Sequence, residues 1–439
     1  MADENLGELT TGDFEVVGKN GAMNWQKTRP WTKIVLLALL LLGTSLPAIG
    51  VPKTGAPCKK AQQVRVIGSV SLKCVKAGKK FVWKEVRSTP VVVPAVEATP
   101  SPSPIASPSS TPSPTPEPVP AKPIRILPTS FEDLYEQRSE VPYAAWSKIS
   151  ETMASSPSRK ANLELFVGPN TKPQFNDYQG AVDLLAKALP QRDLPPRTIA
   201  ILFSFQDLDW AERTFREKLT TDEWNTFNRS ERDGFIRDNC DVAKAVCNGA
   251  RQQSVSSGLS VIAQGVGPIN LSDPAALPRL TTGMLEVHEY FHGIQRVQNL
   301  NKPLGSDDWP PAWFREGPAN WIQNAVVNHK NFDEYNLFAR ISCDSDCRGM
   351  SEARIVDYLT LAKGEATPPG ATRWTQYSLG SAVAEVLVAV KGQDSLVAMY
   401  EVMATQIGFQ AAFKKVYGIE WTKAIPIIAK TVHAIANNK

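Results

Sequence analysis

Histidine is scarce in this chain, with four in 439 residues. An excess of charge of either sign is missing too. There are 48 Lys and Arg against 44 Asp and Glu, a formal net charge of +4, and the two signs are mixed along the chain. Nothing there builds the basic face that nucleic acid requires. Ser381 lacks the strand-turn-helix glycine context of a nucleophile elbow, and the six cysteines fall into local pairs. Serine and cysteine nucleophiles are therefore poorly supported.

Against that scarcity, two of the four histidines stand out. The stretch His288-Glu289-Tyr290-Phe291-His292 places them four apart, with a glutamate directly after the first. On a helix, positions i and i+4 share a face, so both imidazoles can reach one metal ion, while Glu289 points aside toward a water. Met284, Val287, Phe291 and Ile294 form an apolar stripe beside the histidines and predict a helix over about Thr281–Leu300. The plain alternative is a buried helix whose two histidines are satisfied by packing. Catalytic zinc usually takes three protein ligands and keeps one position open. Glu316, in Trp313-Phe314-Arg315-Glu316-Gly317-Pro318-Ala319, is the candidate third ligand. Otherwise it is a first-turn glutamate favoured by the helix dipole. Asn320, one turn further, is a candidate to hold a ligating histidine from behind, or else an ordinary exposed residue.

The paired histidines, with Trp313, Glu316, Gly317 and Ala319 downstream, resemble the gluzincin metallopeptidases, the superfamily of thermolysin and aminopeptidase N. The resemblance implies one Zn²⁺ held by His288, His292 and Glu316, with Glu289 as general base. Gln376-Tyr377-Ser378-Leu379-Gly380 is similar to the Tyr-x-x-Gly element of the aminopeptidase branch. By that likeness Tyr377 donates to the transition-state oxyanion; its other reading is a structural tyrosine. Gly408–Phe413 with Tyr417-Gly418 resembles the closing helical region of such enzymes. One departure bears on specificity. Where the aminopeptidases carry a glutamate for the substrate amino terminus, this chain reads Gly265-Val266-Gly267-Pro268-Ile269-Asn270, without a carboxylate. Endopeptidase action is expected over aminopeptidase action.

Around this region the chain divides by composition. Residues 1–33 are polar and mixed in charge, a tail without a packed fold. Residues 34–51 are apolar, at the short end for a membrane span. Ala48-Ile49-Gly50 also resembles a signal-peptidase site, so anchor and cleaved signal both stand. With the apolar segment, Cys58/Cys74, Cys240/Cys247 and Cys343/Cys347 read as disulfides formed outside the cytoplasm. The expected location is extracytoplasmic, either membrane-anchored by one pass with the N-terminus inside, or secreted. Residues 55–86 form a small two-cysteine module with strand-like stretches at Val64–Val70 and Lys79–Lys84. Its lysines suit contact with an anionic cell wall, or simply a solvated basic face. Residues 88–121 are Pro, Ser and Thr-rich, a polyproline-type linker reaching on the order of 100 Å if fully extended.

Residues 124–439 hold the expected catalytic domain. The pattern predicts a helix over Phe131–Met153, strands at Leu163–Val167, Thr198–Phe203 and Ser257–Val266, and a helix at Tyr178–Leu189 between the first two strands. From Thr281 onward it predicts helices, among them one from Gln376 through Val390. The expected fold class is α+β, with a mixed N-terminal lobe, a helical C-terminal lobe and zinc in the cleft. The strand before the zinc helix is expected to align an extended peptide by edge pairing. A peptide or protein is the expected substrate. The alternatives are a zinc hydrolase of another substrate, or a non-enzymatic envelope-binding protein on the same scaffold.

Overall fold

The computed structural model describes residues 64–67, 70–77 and 80–86, and then 125–437 apart from 228, 256, 301–309, 344, 365 and 406. The apolar segment at 34–51, the polar tail, the Pro-rich linker and Cys58 lie outside the described residues. The chain separates into two compact units, residues 1–115 and 116–439.

In the first unit, β1 (Val64–Ile67), β2 (Val70–Ala77) and β3 (Lys80–Val86) form an antiparallel meander. Cys74 pairs across the ladder with Trp83, and both are buried. Cys74 is disulfide-bonded. The sequence pattern showed two strands where three form, because Lys73 and Lys76 fall three apart on β2 and so break its period of two.

The second unit is α+β. It opens with α1 (Val141–Ser155), β4 (Leu163–Val167), α2 (Tyr178–Ala188), β5 (Arg197–Phe203) and α3 (Leu208–Lys218). Short helices α4 (Thr221–Thr226) and α5 (Arg229–Gly234) lead to the two-residue strands β6 (Cys240–Asp241) and β7 (Val246–Cys247), then β8 (Ala250–Ser254) and β9 (Leu259–Gly265). Among the described residues the elements that follow are all helices: α6 (Ala276–Thr281), α7 (Met284–Val297), α8 (Ala312–Val327), α9 (Phe332–Ser342), α10 (Ser345–Arg348) and α11 (Glu352–Leu361). The chain closes with α12 (Thr375–Lys391), α13 (Asp394–Met403), α14 (Phe409–Tyr417) and α15 (Trp421–Asn437).

The helix expected from Phe131 begins instead at Val141. The Asp133 carboxylate accepts from the Thr129 and Ser130 amides and holds a turn, and Pro142 sits in the first turn of α1, where its missing N–H costs nothing.

The main sheet has the order β4-β5-β9-β8, parallel except for β8. β5 and β9 are interior and read as nearly continuous apolar runs because both faces are covered. Alternate side chains serve different cores. Ala200, Leu202 and Ile262 face the helical core with Val287, Tyr290 and Phe291 of α7. Ile199, Ile201, Val261 and Ala263 face Leu208 and Phe215 of α3. The α7 helix passes close over β9 at Gly293, where a methyl group would stand 2.7 Å from the Ser260 hydroxyl. That close approach fixes the histidine-bearing helix against the sheet. Two disulfides clasp loops of this unit, Cys240–Cys247 and Cys343–Cys347.

Candidate metal centre

Helix α7 carries His288, Glu289 and His292 on its buried side, and α8 presents Glu316 to them. The His288 and His292 Nε2 atoms lie 3.2 Å apart. Glu316 Oε2 lies 3.2 Å from His292 Nε2 and 3.5 Å from His288 Nε2. Four-coordinate zinc with ligands at about 2.1 Å has tetrahedral edges of about 3.4 Å. The three edges of this triangle match that length. Two nitrogens and a carboxylate oxygen converge on one point, and a proton could satisfy only one pair of them. A divalent cation satisfies all three, so the donor set fits zinc.

The electrostatics follow from burial and proximity. Burial opposes charge on His292, but the Glu316 carboxylate outweighs it and pushes this imidazole up to about 9. His288 moves down because it is fully desolvated. Glu316 falls well below the carboxylate range: desolvation opposes this, and the charge and hydrogen bonds of the two histidines prevail. Glu289 is pushed up to about 7, first by burial. A carboxyl titrating near neutrality is suited to taking up and returning a proton.

His292 is oriented from behind by Gln295. Its Nδ1 lies 2.8 Å from Gln295 Oε1, and Gln295 Nε2 donates to the Arg315 carbonyl at 3.0 Å. One amide thus ties the histidine of α7 to the residue preceding Glu316 on α8. Asn320 does not fill the role expected of it. It lies one turn, about 6 Å along the axis, beyond Glu316, where it meets the start of α12. There it donates to the Tyr377 carbonyl at 3.4 Å and accepts from Gln323.

Tyr377 reaches the site. Its ring stacks near-parallel to that of His288, at 26° with centroids 6.1 Å apart, and burial pushes its phenol up. Pro318 lies inside α8 and cannot donate to the carbonyl of Phe314; Tyr400 of α13 donates there instead, at 3.3 Å. Of the tryptophans near the motif, Trp313 and Trp321 pack in the core, and Trp374 is exposed against Tyr377.

These groups open onto a cavity of about 560 Å³ bounded by β8, α7, α8, Tyr377 and Tyr400. Arg251, Arg296, Arg315 and Asn299 also face it, and the sequence motifs did not disclose them. Among the described residues, the edge strand along this cavity is β8. The strand expected to align a peptide, now β9, is paired with β5 on one side and β8 on the other, so its backbone is already spent. Any strand addition has to occur at β8. Among the described residues, no helix is long and apolar enough to cross a membrane. Comparison with family models, curated proteins and solved structures found no match.

Proposed function

We propose that the chain is a zinc-dependent hydrolase of peptide bonds working outside the cytoplasm. One observation carries this: the His288, His292 and Glu316 donor atoms form a triangle with zinc-sized edges, with Glu289 one residue from the first ligand. His288, His292 and Glu316 would hold the ion, which when bound supplies a Lewis acid and lowers the pKa of water toward neutrality. Glu289 accepts the proton of the attacking water and returns it to the leaving nitrogen. The Tyr377 hydroxyl donates to the developing oxyanion. The outer edge of β8 aligns an extended substrate by main-chain hydrogen bonds, with the mixed lobe on one side of the cleft and the helices on the other, a gluzincin-like arrangement. Disulfide-bonded cysteines support an oxidising compartment. Residues 34–51 would serve as anchor or export signal.

The test is turnover of a peptide library in which half the members are blocked at the amino terminus. Internal cleavage of blocked peptides that stops on chelation and returns with Zn²⁺ supports an endopeptidase. Zinc-loaded protein that leaves every peptide intact would remove the peptidase reading.

A further inference from the structure

A second cavity, of about 490 Å³, opens between α8, α9, α12 and α15, apart from the metal centre. Its size is that of a small-molecule site. Glu385 lines it from α12 and is almost wholly buried. One of its oxygens accepts from the Tyr335 hydroxyl, which in turn accepts from Trp321 Nε1 at 2.8 Å. Among the described residues, no lysine or arginine lies within ion-pair reach of this carboxyl. Burial accordingly pushes it up to about 7.

The unmet charge of opposite sign lines the same cavity. Arg138, Arg340 and Arg348 face it. Arg138 donates to the Tyr135 carbonyl and Arg348 to the Arg340 carbonyl, and none of the three has a carboxylate partner among the described residues. The Cys343–Cys347 disulfide joins the end of α9, which carries Arg340, to α10, which carries Arg348. The disulfide keeps the two arginine-bearing segments together, and the Arg348 guanidinium reaches the Arg340 main chain. A buried carboxyl without a cation and a set of guanidinium groups without an anion are complementary to a ligand bearing both charges.

We propose that this cavity binds a small zwitterion, a free amino acid or short peptide, its ammonium at Glu385 and its carboxylate at Arg340 and Arg348. The site uses no residue of the metal centre and stands whether or not the chain cuts peptides. The helices that line it are also those that carry Glu316 and Tyr377, since Trp321 and Asn324 belong to α8 and Ser378 and Glu385 to α12.

The experiment is calorimetric titration of the full chain, carrying Glu289→Gln so that nothing is consumed, with L-alanyl-L-alanine. Its N-acetyl and methyl-ester derivatives each remove one charge. The expected result is binding that weakens about tenfold or more with either derivative, and equally in Arg340→Ala/Arg348→Ala. Both arginines are exposed, so that variant keeps its fold even where Glu385→Gln does not. Binding unchanged in the arginine variant, or no binding of the dipeptide up to about 10 mM, would overturn the proposal.

Discussion

Gly317 of α8 and Gly380 of α12 touch backbone to backbone. A methyl group on Gly380 would stand 2.6 Å from the Trp313 carbonyl oxygen and 2.9 Å from the Gly317 Cα, and one on Gly317 would overlap the Gly380 main chain. Gly317 follows Glu316 directly, and Gly380 lies one turn after Tyr377. The crossing of two bare helix surfaces therefore sets how near Glu316 and Tyr377 come to the histidines. Gly317→Ala and Gly380→Ala should each cost about 3 kcal/mol of stability by forcing the helices apart. Each should also weaken zinc binding by about tenfold or more. Urea unfolding and competition with a zinc chelator measure the two effects separately. Alanine variants with the parent's stability and affinity would show that the contact is loose.

Gln295 links His292 to the Arg315 carbonyl. Gln295→Leu keeps the volume and removes both hydrogen bonds. Zinc affinity should drop about 10- to 100-fold while the helix content is retained. Circular dichroism and metal titration on the same sample check this.

Glu289 follows His288 directly and lies outside the His288, His292 and Glu316 cluster. Glu289→Gln should leave zinc stoichiometry intact and reduce kcat by about 100-fold or more. A variant that keeps its turnover would assign the proton transfer elsewhere.

Burial pushes the Glu385 carboxyl up to about 7 from an ordinary glutamate value of about 4.5. Between those two values the folded state binds more protons than the unfolded one. The stability contributed by this group therefore falls as pH rises through this window, and is constant below about 4.5 and above about 7. The loss attributable to this one group is on the order of 3 kcal/mol. Glu385→Gln retains an acceptor for the Tyr335 hydroxyl and should flatten that part of the profile. Denaturant midpoints of both proteins at pH 5 and pH 7 decide it: a difference that does not change with pH would assign the slope to other groups.

The histidine pair was legible because four histidines in the whole chain leave little room for ambiguity, and Glu316 because it sits in a recognisable helical context. The central strands announced themselves by continuous apolar runs. β8 did not. Ala-Arg-Gln-Gln-Ser has no apolar alternation, since an edge strand beside an open cavity buries none of its side chains fully. The misassigned substrate strand follows from that omission, because β9 looks like an edge only if β8 is unseen. Gln295 was equally hidden. It becomes a partner of His292 only through the placement of α8, which no spacing within α7 encodes. Asn320 shows the converse: its spacing places it one turn from Glu316, but the neighbour at that level is α12, not α7. The crossing at Gly317 and Gly380 is likewise a tertiary fact, visible only once two helices distant in sequence are brought together.

The central claim is that His288, His292 and Glu316 hold a zinc ion. Elemental analysis of the purified full chain, with Glu316→Ala alongside, tests it most directly. About one zinc per chain, lost in the variant, is the predicted result. A wild-type chain that takes up no zinc even after incubation with Zn²⁺ and removal of the excess would contradict it.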